Sequence, residues 1–239
     1  MQDRNQFAGR PGAASAAVGL EQLAAMRAEF LKRVYGHLAA AIGLFVLLEV
    51  LVFASGLAAP IANALLSVNW LLVIGGLVVA GWAARSFAYK ADSLSSQYLG
   101  LGLYVLAQVV IFVPLLVMAE MYAPGAISSA ALITLIGFTL LTMLALSMRQ
   151  DFSFLGAILK WAGIVALLAI VGGVIFGFHL GTWFSVGMVA LAGAAVLYDT
   201  QKILTTYRDD QYVGGALELF ASIALMFWYV LRILIGSRR

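Results

Sequence analysis

The sequence contains no cysteine among its 239 residues. A disulfide, a thiolate metal site and a cysteine nucleophile are therefore excluded. Charged residues are also scarce, since Asp, Glu, Lys and Arg together make up 10% of the chain. Soluble domains carry about 25%. Because so few charges cannot cover the surface of a domain of this length in water, the chain is not a water-soluble globule.

Hydrophobic residues, by contrast, make up 64% of the sequence and are grouped in seven long runs. About 20 apolar residues are needed to cross the hydrocarbon core of a bilayer, and a helix satisfies every backbone polar group in lipid. The runs lack the alternating polarity of a membrane β-barrel. We therefore predict an all-α polytopic membrane protein embedded in the lipid bilayer. Its seven spans are placed at residues 36–55, 64–84, 98–119, 127–147, 155–178, 182–198 and 215–235.

The segments outside the spans differ in composition. Residues 1–19 are small and polar and lack the apolar core of a secretory signal, which predicts a disordered cytoplasmic tail. Residues 20–35 mix charges with alanine and leucine, which predicts an amphipathic lead-in to the first span. Residues 36–235 form the transmembrane domain, and residues 236–239 a short basic tail.

The basic residues predict the orientation of the chain. The part before the first span ends in Lys32 and Arg33, and the first, third and fifth connections contain no Lys or Arg. The other three connections hold Arg85, Lys90, Arg149, Lys202 and Arg208. Cytoplasmic loops carry an excess of Lys and Arg, so we expect a cytoplasmic amino terminus. The absence of an organelle-targeting segment favours the plasma (inner) membrane of a bacterium.

The carboxyl-terminal segment conflicts with that alternation. Seven full crossings would leave the carboxyl terminus outside, yet Arg232, Arg238 and Arg239 lie there. Either the last segment is re-entrant and returns to the cytoplasm, or it is a full span whose insertion the earlier loops dictate. We expect a full seventh span.

A few ionisable residues fall within or at the ends of the spans. Such residues are costly in lipid and mark functional sites by default. Glu49 lies in the first span, Arg85 closes the second, Asp199 ends the sixth and Glu218 opens the seventh. Glu49 has two open interpretations, a functional carboxylate or a neutral buried carboxyl.

Other polar residues in these regions have simpler explanations. Lys160 and Arg232 can extend their long side chains to the headgroup layer. His37 and His179 lie at span ends, and two isolated histidines make no metal site.

Motifs for catalysis are absent from the sequence. It contains no HExxH, GxSxG or Walker A motif, and paired intramembrane aspartates would require a second Asp within the spans. Ordered basic and aromatic arrays for nucleic acid are missing too. We therefore expect a protein that is not an enzyme, carries no cofactor and binds no nucleic acid.

Three stretches resemble the Bax inhibitor family (the transmembrane Bax-inhibitor-motif proteins). They are TLIGFTLLTMLALSMRQDFSFLGAIL, VLYDTQKI and GALELFASIALMFWYVLRIL. The likeness runs from about residue 30 to 234, and the DFSFLG block and the LYD element are its most specific parts. The resemblance implies a seven-helix bundle with a central last helix. It also implies a proton-sensitive calcium leak in which two aspartates near the cytoplasmic side share a proton.

The site residues follow from that resemblance by position. Asp199 matches the first aspartate, and Arg85, in GWAAR, matches an arginine that pairs with one of the two. Ser222 stands where the family has its second aspartate, and Leu225 stands where it has asparagine. Glu218 lies four residues before Ser222, on the same helix face, and could return a carboxylate to that position.

Two functions remain open on these grounds. One is a cation leak channel for calcium or protons, with Asp199 as its gate and Arg85 as its latch. The other is a non-conducting modulator of a membrane-bound protease or another stress-response partner, which Ser222 favours. With one carboxylate instead of two, Asp199 should bind calcium weakly, because calcium requires six to eight oxygen ligands. We also expect ion flux to lack a step near neutral pH.

Overall fold

The computed structural model describes residues 11–89, 93–147 and 151–237, with side chains from residue 21. These ranges contain eight helices and no strand, and seven of the helices are long and apolar enough to cross a membrane. The helices are α1 (Pro11–Ala54), α2 (Ala58–Ser67), α3 (Trp70–Tyr89), α4 (Leu94–Tyr122), α5 (Ala126–Ser147), α6 (Phe154–Phe176), α7 (Gly181–Thr205) and α8 (Tyr212–Ser237). The predicted all-α bundle with seven spans is confirmed.

Helix α1 is longer than the sequence analysis predicted. It begins at Pro11 and has 44 residues, so it includes residues 11–19 of the segment that was expected to be a tail; residues 1–10 lie outside the described ranges. Proline suits the first position of a helix, and the alanines that follow it have the highest helix propensity. The predicted lead-in is part of the same helix, and it packs Phe30 and Val34 into the protein core.

The second predicted span, residues 64–84, starts too early. Residues 64–67 belong to α2, whose ten residues are too short to cross a bilayer. Val68 is extended, and the side chain of Asn69 accepts a hydrogen bond from the backbone N–H of Leu71 at 2.9 Å. Asparagine in this position caps a new helix, so the second span starts at Trp70. Hydrophobicity alone missed the break because the residues on both sides are apolar.

Helices α4 and α8 form the centre of the bundle. The spanning helices differ in how much of their most apolar 18-residue stretch is buried. In α4, 61% of this stretch is buried, and in α8 56%, whereas the value is 28% or less in the other five spans. Helix α8 packs on α1, α3, α4, α5 and α7, whereas α6 packs chiefly on α7. The Phe112 ring of α4 stacks on Phe227 and meets Trp228 edge-on. The predicted central last helix is confirmed, and α4 shares the central position.

The two ends of the bundle differ in charge. The α3–α4, α5–α6 and α7–α8 connections lie together at one end, which we call the basic end because Arg85, Lys202 and Arg208 lie there. Helix α1 runs parallel to α8, since Val34 lies against Gly215 and Phe45 packs near Phe220. The α4–α5 and α6–α7 connections lie at the opposite end. Helix α8 reaches Ser237, a length that supports a full seventh span.

Candidate functional site

Asp199 lies inside α7, six residues before that helix ends at Thr205. The sequence analysis placed it at the end of a span because it stopped the helix at residue 198. The side chain is buried, and its Oδ2 accepts a hydrogen bond of 2.6 Å from the Ser222 hydroxyl on α8. The structure therefore brings together the two residues that the motifs matched to the family's aspartate pair. The Ser222 hydroxyl, a neutral hydrogen-bond donor, occupies the position that the family resemblance gives to a second carboxylate.

Glu218 is the second buried carboxylate of the site, and it lies one turn before Ser222 on α8. Its Oε1 is 3.5 Å from the Lys202 Nζ of α7, and its Oε2 is 3.7 Å from the Arg85 Nε of α3. Glu218 thus joins three helices electrostatically. We call Asp199, Ser222, Glu218, Arg85 and Lys202 the carboxylate site.

The position of Arg85 differs from the expectation. The family resemblance implied a pair with one of the two aspartates, and the channel hypothesis made Arg85 the latch of Asp199, but the ion pair of Arg85 is with Glu218. Glu218 lies one turn closer than Ser222 to the basic end, where α3 also ends, so it is within reach of the guanidinium. Arg85 and Lys202 still act on the charge of Asp199 through space. Lys202 was missed as a site residue, although its spacing of three from Asp199 places both on one helix face.

Aromatic rings border the carboxylate site. The Tyr104 ring lies beside Arg85, because a methyl group added at Gly81 would contact both side chains. Tyr104 meets Phe220 edge-on, with ring centres 6.1 Å apart. Tyr207, in the α7–α8 connection, places its ring 5.6 Å from the Lys202 Nζ. Burial raises the pKa of the Tyr207 phenol well above its usual value, and the charge of Asp199 acts in the same direction. The phenol therefore stays protonated near neutral pH.

The two most specific motif segments meet next to this site. Gln201 of α7 accepts a hydrogen bond from the Phe152 backbone N–H and donates one to the Asp151 carboxylate. A Cβ at Gly156 would lie 2.8 Å from the Tyr198 ring, so any larger residue would force that ring to move from its place between α6 and α7. The backbone N–H of Ser153 lowers the pKa of Asp151. The DFSFLG block and the LYD element are thus two sides of one helix contact.

Arg27 ties the start of α1 to the end of α7. It donates to the carbonyl oxygens of Leu204 and Tyr207 at 3.1 and 2.9 Å, and it pairs with Asp209 at 3.1 Å. A cation at a helix carboxyl terminus satisfies unpaired carbonyls and complements the helix dipole. The sequence analysis missed this role, because the partners are about 180 residues apart in the chain.

Glu49 does not belong to the carboxylate site. It is 6% exposed, and neither of its carboxyl oxygens has a hydrogen-bond partner among the described residues. It lies one turn beyond Phe45 along α1, and Phe45 packs against Phe112 and Phe220. No ion pair of the described residues includes Glu49.

The carboxylate site offers few ligands to a metal ion. Within the described parts of the chain, nowhere do three or more His, Cys, Asp or Glu side chains converge. Asp199 and Glu218 supply carboxylate oxygens, but each is already engaged by a donor or a cation. Because calcium requires six to eight oxygens, these two carboxylates by themselves do not complete a resident calcium site.

The fold and these contacts define a membrane bundle of seven spans with buried, cation-paired carboxylates at one end. A family model described as "Inhibitor of apoptosis-promoting Bax1" matches residues 27–239. The chain belongs to this family, the Bax inhibitor family. It is also 28% identical to Protein lifeguard 3 of Mus musculus over 131 residues, which are 50% of this chain and 41% of the mouse protein. The match thus spans less than half the length of that relative.

Proposed function

We propose that the chain is a leak pathway for calcium or protons, gated at its basic end by the carboxylate site. The observation that carries the proposal is Glu218, a buried carboxylate held between two cations from different helices. A cation that enters from this end must replace Arg85 or Lys202 beside Glu218. The site as described is therefore the closed state.

The two ion pairs are loose enough to open. Their distances of 3.5 and 3.7 Å exceed the 2.7–2.9 Å of a strong charge-assisted hydrogen bond. The Arg85 side chain is 43% exposed, so it can exchange Glu218 for water at low cost. Movement of Arg85 away from α8 would break the link between α3 and α8 that closes the pathway.

Ser222 determines how the gate responds to pH. Two carboxylates within a few ångströms cannot both ionise cheaply and titrate as a unit. Ser222 is neutral and donates to Asp199, which removes that repulsion. The carboxyl of Glu218 faces Arg85 and Lys202 instead. Flux should therefore change little between about pH 6 and 8, and Ser222→Asp should introduce a step.

The orientation forms part of the proposal. The basic end faces the cytoplasm of a cell whose plasma membrane holds the protein, because Lys and Arg are concentrated at this end. Since the chain has no cysteine, a single introduced cysteine is the only residue of this protein that a thiol reagent can label. Ser93→Cys at the basic end should react only with a permeant thiol reagent in intact cells. Ser237→Cys should also react with an impermeant one, and the reverse pattern would invert the bundle.

The decisive experiment measures calcium entry into liposomes that contain the purified protein and an entrapped dye. The wild type should leak slowly, and Glu218→Gln should leak faster, because Arg85 and Lys202 lose their anchor. Glu120→Gln, which alters an exposed carboxylate at the far end of α4, is the matched control and should behave as the wild type. If wild type and Glu218→Gln both match protein-free liposomes, the leak proposal is wrong.

One observation favours a second function. Ser222 stands where the resemblance places a carboxylate needed for permeation, so a non-conducting protein that modulates a membrane-bound protease remains the alternative. This function predicts no flux from any variant. It also predicts that the tagged chain co-purifies with a membrane-bound protease whose turnover of substrates changes when the chain is deleted.

A further inference from the structure

A second polar feature lies at the opposite end of the bundle, away from the carboxylate site. Here residues of α2, α3, α4, α7, α8 and the α6–α7 connection line a cavity of about 500 Å³. Its lining includes Trp70, Pro114, Thr182, Ser185, Trp228 and Arg232. None of these residues takes part in the proposed gate.

Several polar groups lie together in the lining of this cavity. Ser185 is 1% exposed and contributes to the lining of the cavity. Arg232 forms no ion pair with a carboxylate in the described ranges. The first turn of α7, which carries Thr182, has no side-chain cap, so its backbone N–H groups are free to donate. Each of these groups can donate a hydrogen bond, and Arg232 adds a positive charge, a combination that suits an anion; His179 also lines the cavity.

The rest of the cavity wall is apolar. Two tryptophans line it together with Leu66, Leu115, Met118 and Ile235. A small hydrated anion would leave this surface unfilled, whereas an amphiphile would cover it. Arg232 lies five residues before the end of α8, about 7.5 Å along the axis. Arg232 therefore lies close to the end of the bundle that is opposite the basic end.

From this arrangement we propose that the cavity binds an anionic phospholipid. The phosphate accepts hydrogen bonds from Arg232, Ser185 and the first turn of α7, and one acyl chain lies along the apolar wall. Arg232 therefore does not simply extend to the bulk headgroup layer. It is the main anion-binding group of a defined site.

Native mass spectrometry of the purified protein tests the proposal without reference to ion flux. The protein is titrated with phosphatidylglycerol, with phosphatidylcholine and, in a separate arm, with inorganic phosphate. The wild type should retain phosphatidylglycerol in preference to phosphatidylcholine. Arg232→Gln should weaken phosphatidylglycerol binding about tenfold, the effect of losing one charge-assisted hydrogen bond. Lys160→Gln removes one exposed cation elsewhere and should change nothing.

Ser185→Ala provides an independent variant, since it removes the buried hydroxyl and creates little empty space. It should weaken phosphatidylglycerol binding less than Arg232→Gln does. Equal retention of the two lipids by the wild type would overturn the proposal, as would unchanged binding by both Arg232→Gln and Ser185→Ala. Displacement of phosphatidylglycerol by millimolar inorganic phosphate alone would also overturn it, because the site would then recognise the free anion.

Discussion

The three most buried carboxyl groups of the bundle occupy two different environments. At the basic end, Asp199 accepts a hydrogen bond from Ser222, and Glu218 lies between Arg85 and Lys202. Towards the opposite end, Glu49 is as deeply buried but has no hydrogen-bond partner among the described residues. An isolated ionised carboxylate in such surroundings costs far more than a neutral one. The difference teaches that burial alone does not identify the site; what identifies it is burial together with donors and cations.

The largest expected loss of stability comes from Ser222→Val, which would leave Asp199, like Glu49, without a hydrogen-bond donor. Ser222→Val removes the donor to a buried carboxylate while keeping a similar volume. The free energy of unfolding should fall by about 1–3 kcal/mol, the cost of leaving a buried acceptor unsatisfied. Ser222→Thr keeps the hydroxyl and is the control. Thermal melting in detergent compares the two, and equal melting temperatures would mean that the Ser222 hydrogen bond contributes nothing.

A smaller effect is expected when Glu218 loses its charge. Glu218→Gln keeps the shape of the side chain but ends its ion pairs with Arg85 and Lys202. Both cations are partly exposed and can turn to water, so the loss in stability should be about 1 kcal/mol or less. The loss should shrink further in high salt, which screens the pairs in the wild type. A loss as large as that of Ser222→Val would show that the two cations become trapped.

The smallest effect is expected at Glu49. Because no described residue pairs with the carboxyl, we expect it to be protonated, and Glu49→Gln should change the melting temperature very little. A hydrophobic carbodiimide, which reacts with protonated carboxyls, should modify Glu49 and leave Glu218 unmodified. Peptide mass spectrometry locates the adduct. If Glu49→Gln alters calcium flux at unchanged stability, Glu49 lines the pathway and the distinction between the two environments is wrong.

The sequence predicted the architecture well because span formation depends on the apolar run itself, not on its neighbours. It misplaced the second span because α2 ends at Ser67 and Asn69 caps a new helix within apolar surroundings. It also predicted that Asp199 and Ser222 correspond to a pair, since both lie in recognisable motifs.

The missed interactions are those that join distant segments. The partner of Arg85 lies on α8, and the partners of Arg27 lie at the end of α7. Which residues become partners depends on which turn of each helix faces its neighbour. This is decided by the packing of the bundle and cannot be read from one segment of the sequence. Lys202 is the exception, because its spacing from Asp199 was visible in the sequence.

The most direct test of the gate is a double-mutant cycle on calcium entry into dye-loaded liposomes. The cycle comprises the wild type, Arg85→Gln, Glu218→Gln and the double variant. If the Arg85–Glu218 pair closes the pathway, each single change should raise the rate of entry. The double variant should then leak no faster than Glu218→Gln alone, because the same pair is already broken. Single variants that leak like the wild type, or effects that add fully in the double variant, would contradict the account.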